Sequence, residues 1–350
     1  MGADTHQPVR VVVADDSGVM RRMISDALSS KSSIEVIGAA ADGDEALALC
    51  AQLEPDVLTL DLSMPNTNGL DVLARLREQR SRVRVVVVSS FSPTLVERAL
   101  DVLAAGATDL VAKPRPGESF ELFGERVAQA AVAAAQTRSQ SVSAPIARMS
   151  VPRPTRHAAE EHRVLVIACS TGGPLALGTL VPALTSVGAG GVIVQHMPVG
   201  FTAPLARRLD ATGSLQVREA SAGDKLAPGV VLVAPAGRHL RFYGGRTRLE
   251  DTDPIGGVRP RADLTISDLA AQHGAGVVLV VLTGMGSDGL EGAKAVRAAG
   301  GIVLAQDEAD CVVYGMPRHV VEQDLADATG TINEMPVLIE RALGTPVRAR

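Results

Sequence analysis

Short runs of β-branched residues alternate with amphipathic stretches along the first third of the chain. These runs predict strands at Val9–Ala14, Ile34–Ala39, Val57–Leu60, Val83–Val88 and Thr108–Ala112. Between the strands, apolar residues recur at helical spacing, as they do from Leu95 to Leu103, where Gly106 is a predicted C-terminal cap. Five strands that alternate with helices predict a doubly wound α/β domain with a parallel sheet.

The same alternation returns after a segment without periodicity. Residues 136–161 are rich in Ser, Pro, Thr and Arg and predict a semi-extended linker. Further strands are then predicted at Arg163–Ile167, Gly191–Gln195, Val230–Val233, Val277–Leu282 and Ile302–Ala305. The stretch from Gly213 to Arg261 contains more turns and predicts mixed or antiparallel strands. We therefore expect one domain at 1–135, a linker at 136–161, and a second doubly wound α/β domain with a mostly parallel sheet at 162–345.

Composition narrows the class of protein. The formal net charge is -5, and because basic and acidic residues are interleaved, no one-signed basic face is expected and nucleic-acid binding is excluded. The cysteines Cys50, Cys169 and Cys311 are too far apart and too few for a disulfide framework, which favours a reducing compartment. The first residues are polar, and the longest apolar runs have only strand length. We expect a cytoplasmic protein that is not embedded in a membrane.

Carboxylates follow two of the predicted strands in the first domain. Asp15 and Asp16 come after the first strand and Asp61 after the third, and the carboxyl ends of such strands border one crevice. Three carboxylates there suit a hard cation such as Mg²⁺, and a carboxylate can also attack phosphorus. Ser89 and Lys113 end two further strands, and an ammonium group suits a phosphoryl oxygen. The alternative is that the acids merely favour the dipoles of the helices they precede.

This first third of the chain resembles the response-regulator receiver family, whose fold is a flavodoxin-like (βα)5 sheet. The resemblance rests on these motifs: Asp15-Asp16, Asp61-Leu62-Ser63-Met64-Pro65, Ser89 and Lys113-Pro114. It implies that Asp61 is the phosphoacceptor, that Ser89 and Lys113 serve the switch, and that a histidine kinase is the phosphodonor. It also implies that Asp15 or Asp16 holds Mg²⁺ together with Asp61 and the backbone carbonyl of Ser63. Leu110 departs from the family, which often has an aromatic switch residue there.

Three motifs in the second domain offer hydrolytic chemistry. Ser170 lies in a glycine-rich turn between a strand and a helix, where a hydroxyl is exposed and backbone N–H groups can stabilise an oxyanion. His196 follows another strand and can act as a general base, and Asp288 lies in a glycine-rich turn after a third. Alone, the Ser170 turn fits a phosphate-binding or purely structural loop equally well. Together the three residues supply a nucleophile, a base and an orienting acid.

The second domain resembles the chemotaxis protein-glutamate methylesterase family. The resemblance rests on these motifs: Ser170-Thr171-Gly172-Gly173, Gln195-His196-Met197-Pro198, Thr283-Gly284-Met285-Gly286-Ser287-Asp288-Gly289 and Tyr314-Gly315-Met316-Pro317-Arg318. It implies that Ser170 is the nucleophile, His196 the general base and Asp288 the group that orients it. The backbone N–H groups of Met285 and Thr171 are the implied oxyanion hole.

Three residues bear on how well this assignment holds. Ala168 stands where the family usually has Gly, which bears on the shape of the Ser170 turn. Arg261 stands where the family tends to have Ser, which bears on contacts with the substrate. Cys169, beside Ser170, is a rival nucleophile, although a buried residue at a strand end is the favoured interpretation.

The resemblance implies a protein-glutamate methylesterase that is also a protein-glutamine glutaminase. Its substrates would be methyl-accepting chemotaxis receptors. The unphosphorylated receiver would cover the hydrolytic cleft until Asp61 is phosphorylated. Mg²⁺ would serve phosphorylation only, with no cofactor for hydrolysis. The alternatives are a phospho-dependent binding partner and a hydrolase of another substrate in a different two-component pathway.

Overall fold

The computed structural model describes residues 7–90, 100–103, 106–114, 117–136 and 163–344. The chain divides into two compact units, Met1–Ser139 and Gln140–Arg350. Nearly all of the predicted linker lies outside the described residues; Gln136 is described, as the C-cap of a helix. The domain boundaries at 135 and 162 stay a prediction. Among the described residues, no helix is both long enough and apolar enough to cross a membrane.

The first unit contains the predicted parallel sheet. Its strands are β1 (Val9–Ala14), β2 (Ile34–Ala40), β3 (Val57–Leu60), β4 (Arg84–Ser89) and β5 (Asp109–Ala112). Its helices are α1 (Gly18–Ser29), α2 (Gly43–Leu53), α3 (Gly69–Glu78) and α4 (Phe120–Ala135). The five strands lie in the order β2-β1-β3-β4-β5 and pair in parallel, so the predicted fold is confirmed. Residues 100–103 of the predicted Leu95–Leu103 helix are helical, and the rest of it lies outside the described residues.

Local sequence explains where helices of this unit begin. Ser17, Asn68 and Ser119 precede α1, α3 and α4, and each side chain accepts a hydrogen bond from a backbone N–H in the first turn. The helices then cover the buried strand residues, with Ile24 of α1 and Phe123 of α4 packed against Val11 and Val13 of β1. The result is an aliphatic core in which the polar strand ends lie at one edge of the sheet.

The second unit is a larger parallel sheet with a separate hairpin. Its strands are β6 (Val164–Cys169), β7 (Gly190–Gln195), β8 (Gln216–Glu219), β9 (Val230–Val233), β10 (His239–Tyr243), β11 (Arg246–Glu250), β12 (Val277–Val281), β13 (Ile302–Gln306) and β14 (Ala328–Gly330). Its helices are α5 (Gly173–Ala183), α6 (Thr202–Asp210), α7 (Ala262–His273), α8 (Leu290–Ala298), α9 (Met316–Glu322) and α10 (Met335–Leu343). The seven-stranded sheet has the order β14-β13-β12-β6-β7-β9-β8, with parallel pairing throughout.

The five strands predicted individually in this unit are confirmed to within two residues at each end, and the four strands β8, β10, β11 and β14 were not located individually. β8 reads Gln-Val-Arg-Glu, which has no apolar run; it is an edge strand of the sheet, and Val217 is its one buried residue. β14 has three residues, too few for a periodic pattern. The turn-rich stretch is mixed, as predicted: β8 and β9 belong to the main sheet, while β10 and β11 form an antiparallel pair.

The core of this unit depends on close approach between helices as well as on buried strands. Every residue of β12 is buried, which explains its uninterrupted run of Val and Leu. On one face, α7 and α8 pack against each other at Gly292, where an added Cβ would lie 2.7 Å from Cβ of Ile266. Only a residue without a side chain permits this contact.

We expect Gly292→Ala to lower the free energy of unfolding of the second unit by about 1–3 kcal/mol, since the added methyl overpacks the α7–α8 contact. The matched control is Gly178→Ala in α5, where an added Cβ meets nothing within 4 Å. There the same substitution should stabilise the helix by up to about 1 kcal/mol. Denaturant unfolding of both variants measures the difference, and equal effects would contradict the packing argument.

Candidate active site

Three strand ends meet at the centre of the second sheet. β6 is the first strand of the unit, and the chain adds β7 on one side of it and later β12 on the other, so the strand order reverses at β6. Ligands of open α/β sheets bind at the carboxyl ends of strands at such a switch point. Ser170 follows β6 directly, His196 follows β7, and Asp288 lies in the turn after β12. The fold therefore brings the three predicted residues to one edge of the sheet.

Backbone hydrogen bonds continue past the ends of the strands and fix these residues relative to one another. The N–H of His196 donates to the carbonyl oxygen of Cys169 (3.1 Å), and the N–H of Ser170 donates to that of Thr283 (3.0 Å). Gly284 then passes so close to Ser170 that an added Cβ would lie 2.8 Å from the Ser170 Cβ. The backbone of Met285, the next residue, therefore begins beside Ser170.

His196 and Asp288 form a hydrogen-bonded pair. Nε2 of His196 lies 2.8 Å from Oδ2 of Asp288. The exposed fraction of the side chain is 12% for His196 and 3% for Asp288, so the pair is largely shielded from water. Shielding strengthens the electrostatic contact, and the hydrogen bond fixes the plane of the imidazole ring.

The carboxylate of Asp288 also accepts backbone hydrogen bonds from the start of α7. The N–H of Ala262 donates to Oδ2 (2.7 Å) and the N–H of Asp263 to Oδ1 (2.9 Å), which satisfies donors that a helix leaves free in its first turn. Burial by itself would raise the pKa of Asp288. The hydrogen bond and charge of His196, together with the two N–H groups, outweigh burial and lower the pKa of Asp288 to about 2. Asp288 is therefore ionised throughout the neutral range.

Gln195 is a site residue that the sequence analysis did not single out. Its side-chain Nε2 donates to the carbonyl oxygens of both Ser170 (2.8 Å) and His196 (2.9 Å), and its Oε1 lies 3.0 Å from Sγ of Cys169. An added Cβ at Gly173 would lie 1.9 Å from the same Oε1, which explains the glycine. A buried Gln at the end of an apolar strand was the signal in the sequence. This amide ties the strand end that carries the serine to the one that carries the histidine.

Cys169 has the properties of a structural residue. Its side chain is fully buried at the end of β6. Burial raises the pKa of the Cys169 thiol, so the reactive thiolate is not formed in the neutral range. This agrees with the interpretation favoured from the sequence.

The two departures from the family pattern have clear places in the structure. Ala168 pairs with Val281 inside the parallel ladder of β6 and β12, in extended backbone that accepts a Cβ. The side chain of Arg261 faces Asp263 and Asp288. Arg261 therefore acts on the acid of the site.

The predicted acids of the first unit also lie together. Asp15, Asp16 and Asp61 each offer a carboxylate oxygen, and these oxygens lie within 4.8 Å of one another. Nζ of Lys113 lies 2.7 Å from Oδ2 of Asp15 and 2.6 Å from Oδ2 of Asp61. Burial raises the pKa of Asp15, and the Lys113 ammonium group opposes this only in part. An added cation would stabilise the ionised acids, so this donor set fits a hard divalent ion such as Mg²⁺.

Ser89, Ser63 and Leu110 complete the predicted receiver positions. Ser89 is buried at the end of β4, on the strand that pairs with β5. The N–H of Ser63 donates to Oδ1 of Asp61 (3.3 Å), which places the Ser63 backbone beside the acid. Leu110 is buried in β5, so an aliphatic side chain fills the position where many receivers have an aromatic ring.

Comparisons with known proteins indicate the family of the chain. The family model of the CheB methylesterase matches residues 165–339, and that of the response regulator receiver domain matches residues 11–121. A protein-glutamate methylesterase/protein-glutamine glutaminase of Symbiobacterium thermophilum is 40% identical and covers 98% of this chain and 99% of its own length. The chain belongs to the CheB methylesterase family.

Further members of the family are as similar. Protein-glutamate methylesterase/protein-glutamine glutaminase 5 of Myxococcus xanthus is 42% identical and covers 95% of this chain and 98% of its own length. Among solved structures, the CheB methylesterase catalytic domain of Thermotoga maritima is 40% identical, covers 51% of this chain and 96% of its own, and has a TM-score of 0.47. The relatives of Symbiobacterium thermophilum and Myxococcus xanthus match nearly the whole of this chain, so the match includes both units.

The lowered pKa of Asp288 makes a prediction about acid stability. Since the folded-state pKa is about 2 and lies below the ordinary value of 3.8, the ionised carboxylate stabilises the fold above about pH 4. That stabilisation, about 2 kcal/mol, should be lost as the pH falls from about 4 to 2. The measurement is the unfolding free energy of the second unit in wild type and in Asp288→Asn. The difference between them should shrink across this range, and a constant difference would contradict the prediction.

Proposed function

We propose that this protein is a phosphorylation-activated serine hydrolase that removes methyl groups from glutamate γ-methyl esters on chemotaxis receptors. The same chemistry would deamidate receptor glutamines, with ammonia as the leaving group. The observation that carries the proposal is the shielded His196–Asp288 pair beside the Ser170 turn at the switch point of the sheet. The names of the full-length relatives support the choice of ester and amide.

In the first step, the hydroxyl oxygen of Ser170 forms a bond to the ester carbonyl carbon while His196 takes the hydroxyl proton. Since Nε2 of His196 faces Asp288, the proton would be taken at Nδ1. The carbonyl π electrons move onto oxygen and give a tetrahedral oxyanion. Backbone N–H groups of Met285 and Thr171 would stabilise it, and their place beside Ser170 supports this role.

In the second step, the oxyanion collapses and the carbon–oxygen bond to the methoxy group breaks. His196 gives its proton to the leaving oxygen, so methanol departs and an acyl-serine remains. Water then attacks the acyl carbon, with His196 again as base, and the free glutamate and Ser170 are regenerated. Asp288 stays ionised throughout and stabilises the imidazolium in both half-reactions.

Regulation would occur in the first unit. In this proposal Asp61 accepts the phosphoryl group from a histidine kinase of the chemotaxis type. Mg²⁺, held by Asp15, Asp16 and Asp61 with the Ser63 carbonyl, would neutralise charge on the transferring phosphoryl group. The contacts of Lys113 with Asp15 and Asp61 support a role for its ammonium group in binding a phosphoryl oxygen, with Ser89 as its partner in the switch. The protein would act in the cytoplasm, on the cytoplasmic helices of the receptors.

A purely phospho-dependent binding role is the less favoured alternative. A binding partner has no use for an ionised Asp288 that is hydrogen-bonded to a histidine next to the turn of a half-buried serine. Hydrolysis of a substrate other than a receptor would use the same residues. It differs from the proposal only in which methylated protein releases methanol.

We expect Ser170→Ala to lower methanol release from methylated receptor fragments by at least about a thousandfold, because the covalent route is lost. The matched control is Cys169→Ala, which also removes one side-chain heteroatom at the same turn. Since the thiol is buried and protonated, this variant should keep most of the activity. Substantial release by folded Ser170→Ala, or loss confined to Cys169→Ala, would contradict the assignment of the nucleophile.

We also expect a small phosphodonor with Mg²⁺ to raise the rate of methanol release by wild type. The rate for the Asp61→Asn variant should be the same with and without the phosphodonor. Asn has nearly the same shape as Asp but is not a nucleophile toward phosphorus. Asp56→Asn is the matched control, since this carboxylate accepts a hydrogen bond from the Arg10 backbone and lies outside the acid cluster. A response of Asp61→Asn equal to that of wild type would rule out Asp61 as the phosphoacceptor.

A further inference from the structure

Asp288 has a second charged neighbour besides His196. Nε of Arg261 lies 2.9 Å from Oδ1 of Asp288, on the carboxylate oxygen opposite the one that faces the imidazole. Nη2 of the same guanidinium lies 2.6 Å from Oδ2 of Asp263. The exposed fraction of the Arg261 side chain is 17%, so the contact is weakly screened by solvent. One cation therefore stands between two acids.

Asp263 and Asp288 lie side by side. The N–H of Gly289 reaches both carboxylates, with Oδ1 of Asp263 at 2.8 Å and Oδ1 of Asp288 at 3.0 Å. Asp263 also accepts the N–H of Gly292 (2.8 Å), which ties α7 to the start of α8. Burial and the adjacent charge of Asp288 raise the pKa of Asp263, and the N–H of Gly292 and the guanidinium of Arg261 oppose this rise. Without the guanidinium, two shielded negative charges would face each other.

The backbone of Arg261 is held in place by a hydrogen bond to a buried histidine. Its N–H donates to Nδ1 of His239 (3.1 Å), so the ring proton of His239 lies on Nε2 and donates to the carbonyl oxygen of Asp253 (3.1 Å). His239 is fully buried. Its ring thus accepts at one nitrogen and donates at the other, which is the neutral form. The charged groups that face Asp288 among the described residues are then His196, Asp263 and Arg261.

We propose that Arg261 is a positioning residue of the hydrolytic site, which holds Asp263 and Asp288 ionised side by side and thereby sets the pH range in which His196 acts as base. The inference rests on the proposed function, because it requires that His196 accept the Ser170 proton. It assigns to this chain a charge cluster in which His196 contacts Asp288, and Arg261 contacts both Asp288 and the adjacent Asp263.

The sign of the effect follows from Coulomb's law. The guanidinium offsets part of the negative potential that Asp288 and Asp263 create at the imidazole. Removing its charge would stabilise protonated His196, so the acidic limb of the pH–rate profile would move to higher pH. Removing the charge of Asp263 would act in the opposite direction. For a unit charge roughly 6–8 Å from the imidazole and an effective dielectric constant of about 20, each shift is about one and a half to two pH units.

The experiment measures kcat/KM for methanol release from methylated receptor fragments against pH, with the full-length chain. Arg261→Gln removes the positive charge and keeps hydrogen-bond donors, and Asp263→Asn removes a negative charge and keeps an acceptor for Gly289 and Gly292. Arg241→Gln is the control. Arg241 lies in β10 and makes a bidentate pair, at 2.7 and 2.9 Å, with Asp268 of α7, the helix that also carries Asp263. It contacts none of His196, Asp288, Arg261 and Asp263. Arg261→Lys tests rescue, since it restores the charge alone.

We expect the acidic limb to move up in Arg261→Gln, down in Asp263→Asn, and to stay at the wild-type position in Arg261→Lys and Arg241→Gln. Limbs that stay at the wild-type position in both charge variants, or that move in the same direction, would overturn the proposal and leave Arg261 a purely structural residue. If Arg261→Gln does not fold, the direction of the shift in Asp263→Asn decides alone. Failure of the proposed function is distinct, since wild type would then release no methanol at any pH.

Discussion

The structure of the hydrolytic unit depends on the parallel pairing of β6 with β7 on one side and β12 on the other. Parallel pairing brings the carboxyl ends of three strands to one edge, and hydrogen bonds beyond the ladder continue the alignment into the turns. Each strand is short and buried on both faces, so burial alone does not select its register. The hydrogen bonds between residues just past the strand ends do so. Ser170, His196 and Asp288 inherit their relative positions from that register.

Both units use the same arrangement for buried charge. In each, neighbouring carboxylates would repel one another, and a basic side chain contacts both of them: Lys113 contacts Asp15 and Asp61, which follow central strands, and Arg261 contacts Asp288, which follows β12, and Asp263 in the first turn of α7. In both places the basic side chain opposes the effect of burial, which disfavours the charged form of a carboxylate. Attack on phosphorus by Asp61 and stabilisation of an imidazolium by Asp288 both use the carboxylate form.

Sequence reasoning succeeded where one physical rule dominated. Apolar runs marked the buried strands because a parallel strand covered on both faces tolerates few polar residues. The same reasoning missed β8 and β14, one too polar and the other too short to show a period. It did not single out Gln195, because one polar residue at the end of an apolar strand is a weak signal by itself. It linked Arg261 with substrate contacts, whereas the structure places the guanidinium against acids from α7 and from the turn after β12.

The sequence by itself determined that the chain has two α/β regions, which strand ends carry chemical groups, and which family the motifs resemble. These follow from local composition and periodicity, which need no knowledge of distant contacts. Only the tertiary structure decided that Asp288 accepts the first N–H groups of α7, that Gln195 joins two strand ends, and that Arg261 stands between two carboxylates. Each of these joins segments far apart in the chain, and the hydrogen-bond and charge partners of a buried polar group are set by packing rather than by its neighbours in sequence.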